Sequence, residues 1–282
     1  MSDKLYKGLL FIISLIIPLV CGGVVYALVT DAYDAFEHFG FFKFLTSSDW
    51  DYTQGAEQYG ALPFITGTLM TTLLALIFCI PFSLPVALFV GEYFKGSRAA
   101  SVLGTITDLL AGIPSIVYGF FGLVVLVPLM QDLFGGSGKR VLTASILLGI
   151  MILPTIIGVS ESSIRAVPQS YYEGSLGLGA THERSVFFAV LPAAKQGILA
   201  GVILGVGRAI GETMAVIMVA GNQPVVPGSI FSGVRTMTAN IVMEMGYAAD
   251  LHREALLGTA VVLFVFILII NLCFSMLKRR AD

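Results

Sequence analysis

About six stretches of the sequence each hold some 20 predominantly apolar residues, and no other feature constrains the fold as strongly. A helix of about 20 apolar residues spans the hydrocarbon core of a bilayer. Charged residues form 12% of the 282 residues, whereas soluble domains carry roughly 25%, so much of the apolar surface must face lipid. The sequence therefore predicts an all-α integral membrane protein with about six transmembrane helices. The stretches are roughly Leu9–Val29, Thr66–Val90, Leu109–Met130, Val141–Ser160, Gly197–Ala220 and Ala255–Leu277.

The distribution of lysine and arginine predicts the orientation of these helices. Cytoplasmic segments of membrane proteins carry an excess of both residues, and with the N-terminus inside, the inner segments hold about twice as many as the outer ones. We therefore expect both termini to be cytoplasmic. The first stretch is too long for a signal peptide, with about 21 apolar residues against the usual 7–15. Residues 1–30 are accordingly predicted to be a retained anchor helix.

Residues 31–63 are predicted to form an external segment, and residues 64–282 the core of a single domain that spans residues 1–282. The external segment combines an excess of acidic residues with many aromatic ones, among them Phe36, Phe42 and Trp50. Aromatic residues of this kind anchor segments at a membrane surface. Two interpretations stay open: a membrane-hugging segment with a short interfacial helix, or a docking surface for an external partner.

The composition argues against several functional classes. A net charge of -2 offers no electrostatic basis for binding nucleic acid. The three cysteines lie in apolar stretches and the three histidines are scattered, so we expect neither a disulfide framework nor a metal site. The apolar stretches contain no nucleophile–base arrangement and no paired carboxylates. We therefore expect no catalytic residues.

Two charged residues stand inside the fifth apolar stretch, where a charge costs about 2.5–3.5 kcal/mol on insertion scales. Arg208 and Glu212 are spaced i,i+4, which predicts one helix face and an ion pair. Gly197, Gly201 and Gly205 recur every four residues beside them and predict close approach of another helix. The pair is either a buried lock between helices or a site for an anion in transit, since a guanidinium matches an oxyanion.

A proline interrupts the third apolar stretch. Pro114 follows Gly112 and precedes Ser115, and proline inside a span frees backbone groups that only protein or a water-filled cavity can satisfy. This break is predicted either to be a simple kink or to line a pore. Asp108, near the cytoplasmic boundary, is predicted to be structural.

The segment 161–196 is predicted to be a cytoplasmic loop. It contains Glu-Gly-Ser-Leu-Gly-Leu-Gly at 173–179 and, nine residues later, Ala-Val-Leu-Pro at 189–192. This spacing resembles the coupling loop of bacterial ATP-binding-cassette (ABC) importer permeases. The family pattern is Glu-Ala-Ala, three residues, Gly, nine residues, Ile-x-Leu-Pro. Here Gly174 and Ser175 replace the alanines and Ala189 replaces the isoleucine. In that family the loop forms a short helix that sits in a groove of the ATPase subunit. The resemblance assigns coupling to the matching residues, which are Glu173, Gly174, Ser175, Gly179, Leu191 and Pro192.

Three further segments make the resemblance more specific. They are Tyr-Gly-Ala-Leu-Pro-Phe-Ile-Thr-Gly-Thr-Leu at 59–69, Leu-Ala-Gly-Ile-Pro-Ser-Ile-Val-Tyr-Gly at 110–119 and Gly-Arg-Ala-Ile-Gly-Glu-Thr-Met-Ala-Val at 207–216. Together they are similar to phosphate-specific ABC importer permeases of the PstC type. The likeness runs from about Phe41 to the C-terminus. Family patterns often place a proline shortly after the tryptophan that Trp50 matches, whereas this chain has Asp51-Tyr52.

The resemblance implies a type I ABC importer permease (MetI-like) fold in the bacterial cytoplasmic (inner) membrane. It implies a PstA-like second permease, two copies of a PstB-like ATPase and an external PstS-like phosphate-binding protein as partners. Inorganic phosphate would pass Arg208, Glu212 and Thr213. The chain has no Gly-x4-Gly-Lys-Ser/Thr loop, so it is expected to bind no cofactor, and ATP and Mg would be used by the partner ATPase.

Three alternatives stay open at this stage. The same fold could import sulfate, molybdate or an organic anion, because one arginine does not distinguish tetrahedral oxyanions. A secondary transporter would need no ATPase, but such proteins often contain inverted repeats with paired broken helices, and none is evident here. A membrane enzyme is the weakest alternative, because no catalytic constellation is present.

Overall fold

The computed structural model describes residues 3–51 and 58–280, and the regular elements among them are helices apart from one two-stranded hairpin. Three π-helical turns, Phe89–Tyr93, Gly122–Leu126 and Val186–Val190, extend or join the α-helices. The elements are α1 (Asp3–Phe39), α2 (Phe41–Thr46), β1 (Trp50–Asp51), β2 (Gln58–Tyr59), α3 (Leu62–Leu88), α4 (Arg98–Gly112), α5 (Ser115–Phe121), α6 (Val127–Phe134), α7 (Val141–Arg165), α8 (Gln169–Gly177), α9 (His182–Ser185), α10 (Leu191–Gly211), α11 (Met214–Val219), α12 (Met237–Glu244) and α13 (Asp250–Arg280).

Six helical stretches among the described residues are long and apolar enough to cross a membrane. This confirms the predicted helical membrane fold with about six spans. The stretches are Leu10–Phe39, Leu62–Tyr93, Ser115–Phe134, Val141–Arg165, His182–Gly211 and Asp250–Met276.

The chain separates into two compact units, and the first comprises Met1–Leu62 and Asn240–Phe266. Its helix α1 continues to Phe39, beyond the predicted end of the anchor at residue 30. A short helix follows, as one of the two interpretations of the external segment expects. Phe44 of this helix is fully buried and packs edge-to-face against Phe36, with ring centroids 5.5 Å apart.

The hairpin of this unit is fixed by a buried polar cluster. Glu244 accepts a hydrogen bond from the indole nitrogen of Trp50 at 2.8 Å and lies 2.9 Å from Nε2 of His252. The ring of Tyr59 stacks on His252 at 5.4 Å, and Tyr59 pairs with Trp50 across the hairpin. Tyr52, which the comparison with the family pattern singled out, lies outside the described residues.

The second unit comprises Pro63–Ala239 and Ile267–Asp282, and α7 is its central helix. In the most apolar part of α7, 72% of the residues are buried. In the most apolar parts of the second, third and fifth candidate spans, the buried share is only 22% to 33%. Its large apolar side chains form the centre of the hydrophobic core, which buries the transmembrane helices against one another. These side chains are Leu147, Leu148, Met151, Ile152 and Ile156.

Three glycines let α10 approach α7 closely, as their four-residue spacing predicts. A Cβ atom at Gly205 would lie 2.8 Å from Ile156, and one at Gly201 would lie 3.1 Å from Oγ of Ser160. A Cβ atom at Gly197 would overlap Ser163. Small residues at this spacing remove the side chains that would otherwise hold two membrane helices apart. The predicted close approach of another helix is confirmed, and that helix is α7.

The predicted cytoplasmic loop 161–196 is too long, because both flanking helices extend into it. Helix α7 continues to Arg165, whose guanidinium pairs with Glu161 one turn earlier at 2.7 Å. The next long helix begins at His182, where the side chain of Thr181 accepts a hydrogen bond from the backbone of Arg184. Only residues 166–181 connect the two, and they contain the short helix α8. Leu191 and Pro192, predicted to lie in the loop, belong to the first turn of α10.

The third span begins later than predicted. Residues 109–112 belong to α4, and the candidate span is Ser115–Phe134. Ile113 leaves the helical conformation with φ -69° and ψ 127°, because the ring of Pro114 disfavours helical geometry in the preceding residue. The predicted break at Gly112, Pro114 and Ser115 therefore separates two helices rather than kinking one span. Asp108 lies in α4, near its C-terminal end.

Candidate functional site

The fifth span ends between the two charged residues that the sequence singled out. Helix α10 stops at Gly211, and Glu212 has extended backbone angles, φ -69° and ψ 130°. Spacing i,i+4 places two residues on one face only if the helix continues through both. Arg208 and Glu212 form no ion pair in the described structure, so that prediction is wrong.

Arg208 instead contacts the central helix. Its Nη1 atom donates a hydrogen bond to the hydroxyl oxygen of Thr155 on α7 at 3.1 Å. The arginine side chain is only partly buried, and this is its one hydrogen bond to the described residues. A guanidinium carries five N–H donors. Arg208 therefore keeps most of its donors, and its full positive charge, available for a ligand.

Glu212 stabilises the start of the next helix. Its Oε1 atom accepts hydrogen bonds from the backbone nitrogens of Thr213 at 3.1 Å and Ala215 at 3.3 Å. Its backbone oxygen accepts one from the hydroxyl of Thr238 at 3.1 Å. The first N–H groups of a helix have no partner within it, and an acidic side chain there satisfies them and complements their partial positive charge. The carboxylate is thus occupied by backbone groups of α11.

The break before the third span is held by a second polar contact. The hydroxyl of Tyr118 on α5 donates to the backbone oxygen of Leu110 on α4 at 2.9 Å. Leu110 lies in the last turn of α4, and its carbonyl also accepts a hydrogen bond from the backbone nitrogen of Ile113 at 3.3 Å. Tyr118 is 5% exposed. The bond from its hydroxyl therefore adds a second donor to this carbonyl and ties α5 to α4 across the break.

The two helix breaks lie side by side. Helices α5 and α11 pack so closely that a Cβ atom at Gly119 would lie 2.9 Å from the Cα atom of Ala215. The structure thus brings the start of α11, which directly follows the predicted residues Glu212 and Thr213, against the helix that Ser115 starts. Gly112 and Pro114 lie exposed at the entrance to that helix.

A second group of predicted residues forms the connection between α7 and α10. Glu173, Gly174 and Ser175 lie on α8, and the first two are exposed. The hydroxyls of Ser175 and Ser185 are 3.0 Å apart, so α8 is tied to α9. This contact fixes the short helix to the base of the fifth span.

Two further features shape that connection. The hydroxyl of Tyr172 lies 2.7 Å from Nδ1 of His182, which forms a second tie between α8 and α9. Gly179 turns the chain between the two helices with φ +85°, a conformation that L side chains adopt only at a cost. Beside the turn, Leu178 is 92% exposed.

Several residues of these sites were not predicted from the sequence. They are Thr155, which bonds Arg208, Thr238, which bonds Glu212, and Tyr118, which bonds Leu110, together with Tyr172, His182 and Ser185 in the connection. Hydroxyl residues do not interrupt an apolar pattern, so nothing in that pattern marks them. Thr155 directly follows the buried Pro154, and a proline in a span is a signal that could have drawn attention to it.

The comparisons with known proteins agree with this architecture. Residues 83–282 match the family described as binding-protein-dependent transport system inner membrane component. The phosphate transport system permease protein PstC of Pasteurella multocida (strain Pm70) is 36% identical over an alignment of 300 positions, which covers 99% of this chain and 92% of that protein.

Two solved structures share the fold at low sequence identity. A bacterial ABC transporter involved in the import of the acidic polysaccharide alginate aligns with a TM-score of 0.67 and 15% identity, covering 99% of both chains. The MetNI methionine ABC transporter in an inward-facing conformation aligns with a TM-score of 0.60 and 18% identity, covering 78% of this chain and 96% of the other. The helical arrangement is therefore that of ABC importer permeases.

Proposed function

The chain belongs to the family of binding-protein-dependent transport system inner membrane components, and we propose that it forms half of the translocation pore of an ATP-driven importer of inorganic phosphate. The observation that carries this proposal is Arg208, a partly buried guanidinium in a membrane span that bonds one threonine and no carboxylate among the described residues. The 36% identity to a phosphate transport permease over nearly the whole chain supports phosphate as the cargo.

The chemistry of the site suits a transient oxyanion. A guanidinium presents planar, permanently charged donors that match the oxygens of phosphate. Because Thr155 holds one donor from the side, the rest of the group is oriented without being neutralised. The carboxylate of Glu212 keeps a negative charge nearby, capped by the amides of Thr213 and Ala215. That charge would weaken binding and so help a phosphate ion to leave.

Energy for transport would reach these spans through the connection between α7 and α10. An exposed short helix with apolar residues at one end suits a groove on a rigid partner. The ties from Ser175 to Ser185 and from Tyr172 to His182 would pass movement of α8 directly to the fifth span. ATP and Mg would be bound by the ATPase, and the permease halves would alternate as rigid bodies.

The proposed assembly has four kinds of component in the bacterial cytoplasmic membrane. A PstA-like permease would complete the pore, two copies of a PstB-like ATPase would bind the inner face, and a PstS-like protein would deliver phosphate from outside. In this assembly the chain itself catalyses no reaction and binds no cofactor.

Uptake of labelled phosphate tests the proposal against its alternatives. Cells that express this chain with its neighbouring transporter genes should accumulate phosphate, and tenfold excess sulfate or molybdate should not compete. Competition by either anion would reassign the cargo. Uptake that persists after the ATPase gene is deleted would instead favour a secondary transporter.

A further inference from the structure

An apolar groove lies on the second unit, away from the charged site. Its volume is about 510 Å³, within the range of sites that hold small organic ligands. Leu84 and Leu88 of α3 form one side, Ile164 of α7 lies between, and Leu199 of α10 forms the other side together with Phe187. Beneath the groove, α3, α7 and α10 pack through a cluster of buried apolar residues that includes Ala87, Ile157 and Ala194.

One end of the groove carries a single positive charge. Lys195 is the one charged residue among the described residues that line it, and its side chain is exposed. No hydrogen bond or ion pair joins Lys195 to the described residues. A lysine beside an apolar channel can bury its aliphatic stem along the groove while its ammonium group remains in a polar layer.

The position of Lys195 in the groove indicates which membrane surface it faces. Ile164, in the last turn of α7, lines the groove together with Lys195. With both termini in the cytoplasm, as the distribution of lysine and arginine predicts, the fourth span ends at the inner side of the membrane. Lys195 therefore lies toward the cytoplasmic surface, and the groove extends from it toward the hydrocarbon.

We propose that this groove binds an anionic phospholipid of the inner leaflet, with an acyl chain along α3 and α10 and the headgroup phosphate on Lys195. The apolar lining fits a hydrocarbon chain, and the one cation complements the one negative charge of a phosphatidylglycerol headgroup. Basic pockets between transmembrane helices on the cytoplasmic side bind such headgroups. Free phosphate lacks the apolar part that the groove accommodates, and this inference does not depend on the transported anion.

Photo-crosslinking tests the proposal on the assembled transporter. The chain, co-purified with its partner subunits, is placed in nanodiscs that contain phosphatidylglycerol or phosphatidylcholine with a diazirine in the acyl chain. Crosslinked peptides are then identified by mass spectrometry. We expect the peptides that line the groove to be labelled about fivefold more by phosphatidylglycerol, as one lysine at an anionic surface contributes.

Variants of Lys195 distinguish the outcomes. Lys195→Gln should reduce labelling by phosphatidylglycerol to the level of phosphatidylcholine, while Lys195→Arg and the control Lys95→Gln should keep the preference. Equal labelling by both lipids in the wild type would overturn the proposal, as would unlabelled groove peptides, which would mean that a protein helix covers the groove. Loss of the preference in 10 mM inorganic phosphate would identify a free-phosphate site and would also contradict it.

Discussion

Arg208 and Glu212 are four residues apart, yet the end of α10 at Gly211 separates them, and each side chain bonds a different helix. Arg208 donates to Thr155 on α7, and Glu212 accepts from the amides that begin α11. The guanidinium is therefore oriented by a neutral hydroxyl. This arrangement leaves a positive charge on the membrane span that no carboxylate among the described residues neutralises.

The hydroxyl of Thr155 should affect phosphate affinity through Arg208. Thr155→Val removes the acceptor at 3.1 Å, and a lost hydrogen bond of this kind contributes about 0.5–1.5 kcal/mol. We expect the phosphate concentration for half-maximal uptake to rise by up to about tenfold, with protein levels unchanged. Thr155→Ser retains the hydroxyl and should behave as the wild type. An unchanged half-maximal concentration in the valine variant would show that the bond does not position the guanidinium.

Glu212 should stabilise the fold by capping α11 rather than by an ion pair. Glu212→Ala leaves the amides of Thr213 and Ala215 without their acceptor, and loss of a helix cap costs about 1 kcal/mol. Glu212→Gln keeps an oxygen in the same position. Thermal unfolding in detergent should therefore show a lower midpoint for the alanine variant and a midpoint near wild type for the glutamine variant. Equal losses in both would indicate that the charge matters more than the cap.

Packing between α5 and α11 should tolerate no added methyl group. Gly119→Ala would place a Cβ atom 2.9 Å from the backbone of Ala215, and such overpacking costs about 1–3 kcal/mol. Gly207→Ala is the matched control, because a Cβ atom there meets nothing within 4 Å. The first variant should unfold at a lower temperature and the second should not. Equal unfolding midpoints for the Gly119→Ala and Gly207→Ala variants would argue against close contact between α5 and α11.

Gly179 should be required for coupling to the ATPase. Its φ of +85° costs an L side chain about 1–2 kcal/mol, so Gly179→Ala should distort the turn from α8 to α9. Gly177→Ala, in the last position of α8 and with open space around it, is the control. Phosphate-dependent ATP turnover of the assembled transporter should fall only in the first variant. Normal turnover in Gly179→Ala would remove the coupling assignment.

The sequence predicts the number of spans because crossing a bilayer requires a fixed length of apolar helix. It misplaces the fifth span, which it predicts at Gly197–Ala220 and which lies at His182–Gly211. It also predicts the contact of α10 with another helix, since Gly201 and Gly205 share one face. The sequence-based prediction fails where the backbone angles of a single residue decide whether a helix continues. The i,i+4 argument for Arg208 and Glu212 assumes a continuous helix, and the chain leaves that geometry at Glu212.

The bounds of the connection between α7 and α10 depend on polar contacts at the helix ends, which the pattern of apolar residues does not predict. The pair Glu161–Arg165 extends α7, and Thr181 starts the next helix earlier than the first strongly apolar residues. The partner of Arg208 was also out of reach, because Thr155 comes from another helix. Their proximity arises from tertiary packing of α7 and α10.

Labelled phosphate uptake by wild type and Arg208→Ala, at matched membrane levels and with all partner subunits present, tests the central claim most directly. The account predicts ATP-dependent accumulation by the wild type and at least about tenfold less by the variant, with the complex assembled in both. Equal accumulation by wild type and variant would contradict the role of Arg208 in the phosphate path.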